Sequence, residues 1–179
     1  YLAGLAGQPL LDVDAPEATD ALADVRERID HLVNNPGHSR PTTFHRRLGE
    51  ILYTGCGVSR SEAGLKRALE QVQELREEFW RDVRVTGTDD RLNQELEKAG
   101  RVADFLELAE LMITDALDRQ ESCGAHFREE YALPDGEAKR DDERWCNVSA
   151  WETNPAGQPR RYQEPLRFES VKLQVRNYR

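Results

Sequence analysis

Residues 91–118, RLNQELEKAGRVADFLELAELMITDALD, decide the fold of this chain. Leu92, Leu96, Ala99, Ala103, Leu106, Glu110, Ile113 and Leu117 recur in fours and threes. That spacing lays side chains along one side of an α-helix for about seven turns. A second stripe, Val102, Phe105, Leu108, Ala109, Met112 and Ala116, widens the apolar side in the later half. One seam needs one neighbour, whereas two suit a helix wedged between partners. The spacing therefore predicts an up-and-down helical bundle with short connections.

The neighbouring segments supply those partners. In residues 61–83, Leu65, Leu69, Val72, Leu75, Phe79 and Val83 repeat at helical spacing, with Ser59 or Ser61 as the cap. VTGTDD at 85–90 breaks that helix and offers Thr88 or Asp89 to cap the next. A shorter helix, FHRRLGEILYTG at 44–55, is expected behind Thr42 or Thr43. A leading helix at 15–35 carries Leu22, Val25, Ile29 and Leu32, with Asp14 as cap and Pro16 in its first turn. Asn34, Asn35, Pro36 and Gly37 stop it. Only VRVTG at 83–87 hints at a strand within 15–122.

Beyond residue 122 the periodicity ends. ALPDGEAKRDDERW at 132–145 is loop chemistry around a Pro-Asp-Gly turn. NVSAWE at 147–152 and PLRFESVKLQVRNY at 165–178 alternate well enough to pair as strands across TNPAGQPRR. Trp145, Trp151, Tyr162, Phe168 and Tyr178 must pack on the bundle or on a partner.

Composition narrows the function. The 179 residues carry a net charge of −9 with 33% charged side chains, which argues against a nucleic-acid surface. No run approaches the roughly 20 apolar residues of a membrane span. Three scattered cysteines, Cys56, Cys123 and Cys146, make no disulfide framework. The only methionine is Met112, so the chain reads as an excised piece of a longer protein.

Candidate chemistry concentrates in ESCGAHFREEY at 121–131. Cys123 and His126 have the spacing of half a zinc site, but Cys146 lacks a matching second ligand and His31, His38 and His45 are scattered. A Cys–His nucleophile pair would need an oxyanion hole, and no such pattern accompanies it. A capped helix end with a hydrogen-bonded imidazole is the simpler reading. Glu110, alone among apolar seam residues, is expected to reach a rim lysine or arginine. The glycines at 4, 7, 55 and 57 complete no dinucleotide-binding fingerprint.

DALDRQESCGAHFREEY, GEAKRDDERW and the terminal VKLQVRNYR together resemble the C-terminal region of succinate dehydrogenase and fumarate reductase flavoprotein subunits. The family's Arg-x-Glu-Ser-Arg-Gly-Ala-His-x-Arg falls on Arg119, Glu121, Ser122, Cys123, Gly124, Ala125, His126 and Arg128. Its Arg-Asp-Asp and following aromatic fall on Arg140, Asp141, Asp142 and Trp145. LGEILYTGCGVSRSEAGLKRALEQVQEL also looks like the family's helix-turn-helix, so the likeness covers residues 20–179. Cys123 departs from the usual arginine, and ALPDGEAK lengthens the loop before Arg140. L-aspartate oxidase resembles the same helix end; a free-standing helical adaptor would share the periodicities but not the tail.

The resemblance implies a mainly α fold: a three-helix, spectrin-repeat-like bundle with an extra N-terminal helix and an irregular tail with short strands. It divides the chain into a linker and leading helix (1–40), a bundle (41–124) and a packed tail (125–179). It implies that the parent subunit holds FAD and interconverts succinate and fumarate, while this segment holds no cofactor and no catalytic or metal-binding residue. The implied partners are the rest of the flavoprotein subunit, an iron–sulfur subunit and, through it, a membrane anchor. The implied location is peripheral, on the cytoplasmic side of the inner membrane. Arg119, Glu121, His126, Arg128, Arg140, Asp141, Asp142 and Trp145 become structural or subunit-contact residues, with Glu121 and Arg128 paired to the charges at 140–142.

Overall fold

A computed structural model of the chain describes residues 7, 12–88, 90–152 and 159–174. Helix α1 (Pro16–Asn34) starts on Pro16, whose fixed φ suits a first turn, and is capped by Ala15 without a side-chain bond. Asp14 is therefore not its cap. The helix ends as expected at Asn35, where the backbone becomes extended before Pro36. Only Leu32 of its apolar stripe is buried, while Leu22 and Val25 face outward. Asn35 Nδ2 donates to the Trp80 and Val83 carbonyls, and Arg28 reaches Asp104 at 2.5 Å. Polar stitches, more than burial, hold α1 to the bundle.

Helix α2 (Pro41–Gly55) also starts on proline, behind Arg40. Thr42 and Thr43, the expected caps, lie inside its first turn. The two-residue strand β1 (Ser59–Arg60) leads into α3 (Glu62–Asp82), where the Ser61 hydroxyl accepts from the Gly64 N–H. Helix α4 (Gln94–Asp118) is capped by Asn93, not by Thr88; Asp89 lies outside the described residues. Asn93 Oδ1 accepts from the Glu95 and Leu96 N–H groups, while its Nδ2 donates to the Thr86 and Thr88 carbonyls. One side chain thus organises both the loop and the helix start, which no threonine could match. Leu92 precedes that cap and is 94% exposed, so it is not part of the seam.

Helices α2, α3 and α4 share one core, with Phe44, Leu48, Leu65, Val72, Leu75, Phe79, Ala99, Ala103, Leu106 and Ile113 buried in it. Helices α2 and α3 run antiparallel: Phe44 meets Phe79 edge-on at 5.3 Å near one end, and Gly55 meets Ala68 near the other. A Cβ on Gly55 would stand 2.6 Å from that of Ala68, so glycine permits the close approach. Glu110 pairs with Arg76 of α3 at 2.7 Å, the cationic partner expected of it. The second stripe of α4 divides. Val102, Ala109 and Ala116 are buried, but Phe105, Leu108 and Met112 border an open groove against His45 and Leu52 of α2. The mainly helical fold class and the bundle are as expected.

In the tail, β2 (Phe127–Arg128) pairs in parallel with β1, a strand pair absent from the sequence reading. VRVTG forms no strand beyond a single bridge from Val83 to Ser39. A 3-10 turn (Glu129–Tyr131) and the one-turn helix α5 (Asp142–Trp145) follow, the latter inside the stretch read as loop. Strand β3 (Asn147–Glu152) is NVSAWE, as expected. Its partner is β4 (Arg160–Pro165), running antiparallel from Glu152↔Arg160 to Asn147↔Pro165, instead of residues 165–178. Beyond Pro165 the Leu166 N–H still donates to the Cys146 carbonyl at 3.0 Å, so Pro165 falls at a non-hydrogen-bonded position where no N–H is needed. Residues 175–179, with Tyr178, lie outside the described residues.

Candidate functional site

The C-terminus of α4 creates the site. A helix ends with carbonyls that lack an intrahelical donor and carry partial negative charge. Arg128, 1% exposed, answers both needs: its Nη1 donates to the Ala116 carbonyl at 2.8 Å and to that of Leu117 at 3.2 Å. Its Nε donates to Glu130 at 3.1 Å, and its guanidinium lies 5.5 Å from the Tyr131 ring centroid.

The chain reaches that position through a tight reversal. Cys123 and His126 exchange backbone hydrogen bonds of 2.8 and 3.1 Å around Gly124, whose φ of +59° lies in the left-handed region. Buried Ser122 locks the return: its Oγ accepts from the Arg128 N–H at 2.8 Å and donates to the Arg128 carbonyl at 3.1 Å.

His126 ties two further segments together. Nδ1 lies 2.9 Å from Arg60 Nη1, and Nε2 lies 3.0 Å from the Arg119 carbonyl. A guanidinium only donates, so Nδ1 accepts and Nε2–H donates, which specifies the neutral imidazole. Burial first, then the nearby Arg60, Arg119 and Arg128 charges, hold its pKa below the ordinary 6.5 against the opposing pull of the Arg119 carbonyl.

Glu130 serves another helix end. Its Oε1 accepts the Glu62 N–H at 2.6 Å at the start of α3. Burial pushes this carboxyl up, but backbone N–H donors and Arg128 outweigh it and hold the pKa low. Beside it, Ser59 Oγ donates to Glu129 at 2.8 Å.

A second cluster surrounds Glu121, which is 2% exposed. It accepts from Arg119 Nε and Nη2 at 2.9 and 2.5 Å and from the Asp141 N–H at 2.9 Å. Asp141 in turn accepts the Arg144 N–H and caps α5. Trp145 is buried, with the guanidinium groups of Arg119, Arg144 and Arg161 6.0, 5.8 and 5.5 Å from its ring centroid. Arg140 donates to Asp142 at 2.6 Å and to the Gln174 carbonyl at 2.9 Å, holding the chain beyond β4. Trp151 Nε1 donates to Asp115 at 2.7 Å, and Arg161 pairs with Asp118. Both bonds seat the β3–β4 hairpin on α4.

The eight residues singled out in the sequence thus fall into one corner. Glu121 takes its charge partner locally, from Arg119, and meets the tail only through the Asp141 backbone N–H, while Arg128 turns inward to α4 and Glu130; neither pairs with the charges at 140–142. The buried helix carbonyls are the stronger demand. Arg60, Ser122, Glu130, Asp115, Asp118 and Arg161 complete the corner. Ser122 was matched to the family motif, and Glu130 lay in the stretch 121–131, without a role for either; Arg60 and Arg161 carried no local signal, and Asp115 and Asp118 only their spacing of three at a helix end.

This chemistry is that of a joint. Both ring nitrogens of His126 are committed to protein partners, and among the described residues no three His, Cys, Asp or Glu side chains gather as a metal site. Helix α3 follows strand β1, the arrangement in which a helix start cradles a pyrophosphate, yet its Glu62 N–H is taken by Glu130. These residues do not fit a flavin pyrophosphate. Among the described residues no helix is long and apolar enough to cross a membrane.

The chain is similar in sequence and fold to known proteins. The family described as fumarate reductase flavoprotein C-term matches residues 45–178. The fumarate reductase flavoprotein subunit of Serratia sp. is 31% identical over 157 residues, covering 87% of this chain and 25% of that protein. Its counterpart from Proteus vulgaris is 29% identical over 167 residues, covering 89% and 26%. The chain therefore spans about a quarter of the length of the curated relatives it matches. A solved quinol fumarate reductase variant from Escherichia coli superposes with a TM-score of 0.74 at 27% identity, over 95% of this chain and 28% of that one. An adenosine-5-phosphosulfate reductase shares the fold, with a TM-score of 0.73 at 17% identity.

Proposed function

From the premise that this chain belongs to the fumarate reductase flavoprotein C-terminal family, and is the C-terminal domain of such a subunit, we propose that it joins the flavin-bearing part of its parent to a partner. The parent is an oxidoreductase that interconverts succinate and fumarate and passes electrons through an iron–sulfur subunit to quinone. FAD, held by the rest of the parent, supplies the two-electron chemistry. The complex sits on its membrane anchor, with this domain peripheral on the cytoplasmic side.

Within the domain the division is by task. Residues 1–40 link and brace, 41–124 form the rigid bundle, and 125–179 form the tail. Arg119, Glu121, His126, Arg128, Arg140, Asp141, Asp142 and Trp145 anchor the tail and touch no substrate. The observation that carries this reading is the contrast along the tail. Trp145 is buried and Trp151 largely covered, whereas Val148, Tyr162, Leu166, Phe168, Leu173 and, at 71%, Val171 remain exposed. Anchored by Trp145, Trp151 and the Arg140–Gln174 bond yet apolar on its outward side, such a segment has the character of a protein interface.

The test separates joint from catalyst. In the full-length subunit, Phe168→Asp with Val171→Asp should reduce co-purification of the iron–sulfur subunit while bound flavin is retained. An undiminished complex would remove the proposed interface. The isolated chain should show no flavin absorbance and no dye-coupled succinate oxidation; a yellow, active chain would overturn the assignment.

A further inference from the structure

We propose that His126 is a proton-operated latch, closed when its imidazole is neutral and opened when Nδ1 takes a proton. The inference rests on this chain's own contacts and goes beyond the role proposed for the parent enzyme. Closed, the latch is a chain of hydrogen bonds through three separate segments. Arg60 Nε donates to the Gly57 carbonyl at 2.6 Å, Arg60 Nη1 donates to His126 Nδ1, and His126 Nε2–H donates to the Arg119 carbonyl. It joins the turn before α3 to the end of α4.

Protonation cannot preserve this arrangement. Arg60 has no acceptor to offer, so an N–H at Nδ1 would leave two donors facing each other at the 2.9 Å now spanned by a hydrogen bond. The charged and titratable groups around the ring oppose the cation as well. Arg60 approaches from β1, Arg119 from the end of α4 and Arg128 from β2, with Cys123 across the turn. The acids near this corner are engaged elsewhere: Glu121 with Arg119, and Glu130 with Arg128 and the Glu62 N–H. The Nε2–H bond to Arg119 survives protonation, so the ring stays tethered on that side while the Arg60 side is expelled. The β1–β2 pair, with Arg60 opposite Arg128, is the element that this loosens.

His126→Gln provides the discriminating variant. Its amide oxygen can accept from Arg60 and its amide nitrogen can donate to Arg119, so it keeps both bonds and cannot titrate. Amide hydrogen exchange at Phe127 and Arg128, corrected for intrinsic rates, should rise severalfold in the wild type between pH 7.5 and 5, the direction expected when the open form takes the proton more readily than the closed one. In His126→Gln the same amides should be pH-independent over that range. Nitrogen NMR of wild-type His126 should report the Nε2–H tautomer at pH 7.5, a readout that needs no variant to fold. An Nδ1–H tautomer, unchanged wild-type exchange at pH 5, or equal pH dependence in wild type and variant would each overturn the latch.

Discussion

Arg128 Nη1 donates to the Ala116 carbonyl at 2.8 Å, which makes a side chain twelve residues downstream the C-terminal cap of α4. Removing it leaves the last carbonyls of α4 without this donor and Glu130 with the Glu62 N–H but no guanidinium. Arg128→Ala should cost about 2–4 kcal/mol, because each buried acceptor left unsatisfied costs about 1–3 kcal/mol while the part-exposed Glu130 can turn to water. Arg128→Lys should recover only part of this, because a single ammonium cannot span two carbonyls and Glu130 as the planar fork does. Denaturant midpoints at constant slope measure both; a loss below about 1 kcal/mol for alanine would remove the cap from its assigned role.

Leu106 and Leu108 are two residues apart on α4, and the structure assigns them opposite fates. Leu106 is fully buried, so Leu106→Ala should cost about 2–5 kcal/mol. Leu108 is 52% exposed beside the α2–α4 groove, so Leu108→Ala should change stability by no more than about 0.5 kcal/mol in the isolated chain. Equal losses for both would place the groove inside the core.

Asn93→Ala tests the start of α4. The substitution removes two acceptor and two donor contacts, and a cost of about 0.5–2 kcal/mol is expected from the cap alone. Thr88→Ala should leave the helix start intact, because the Asn93 bond at this position goes to the Thr88 backbone carbonyl. Thermal unfolding of the pair distinguishes the two cap assignments.

Asp82 sets an acid limit at the end of α3. Hydrogen bonds from Ser39 first, then from the His38 side chain and backbone, lower its pKa from 3.8 to about 2. A carboxyl lowered in the folded state binds fewer protons than in the unfolded chain, so stability rises with pH between the two values. The advantage of wild type over Asp82→Asn should be fully present above pH 3.8 and be lost as pH falls through about 2. A difference in melting temperature that stays constant across that window would rule out the carboxylate as its origin.

Periodicity alone determined the bundle, because a helix must repeat its buried side chains every three or four residues wherever it lies. Residues 61–83 and the main seam of 91–118 were legible for that reason, and Ser61 was legible as a cap because its partner Gly64 is only three residues away. The corner at 121–128 was legible as a corner, since its glycine turn and family-like residues are local. What Arg128 does there was decided only in three dimensions. Its partners, the last carbonyls of α4 and Glu130, acquire their demand for a donor only after the helix ends and the surroundings exclude water. The same holds for Phe105, Leu108 and Met112, whose spacing marks an apolar arc without saying whether a neighbour covers it. It holds too for Arg60, which meets His126 only because the chain returns from 66 residues away. Sequence spacing encodes which residues share a side of a helix; which of those sides, carbonyls and charges lose their water depends on packing between distant segments.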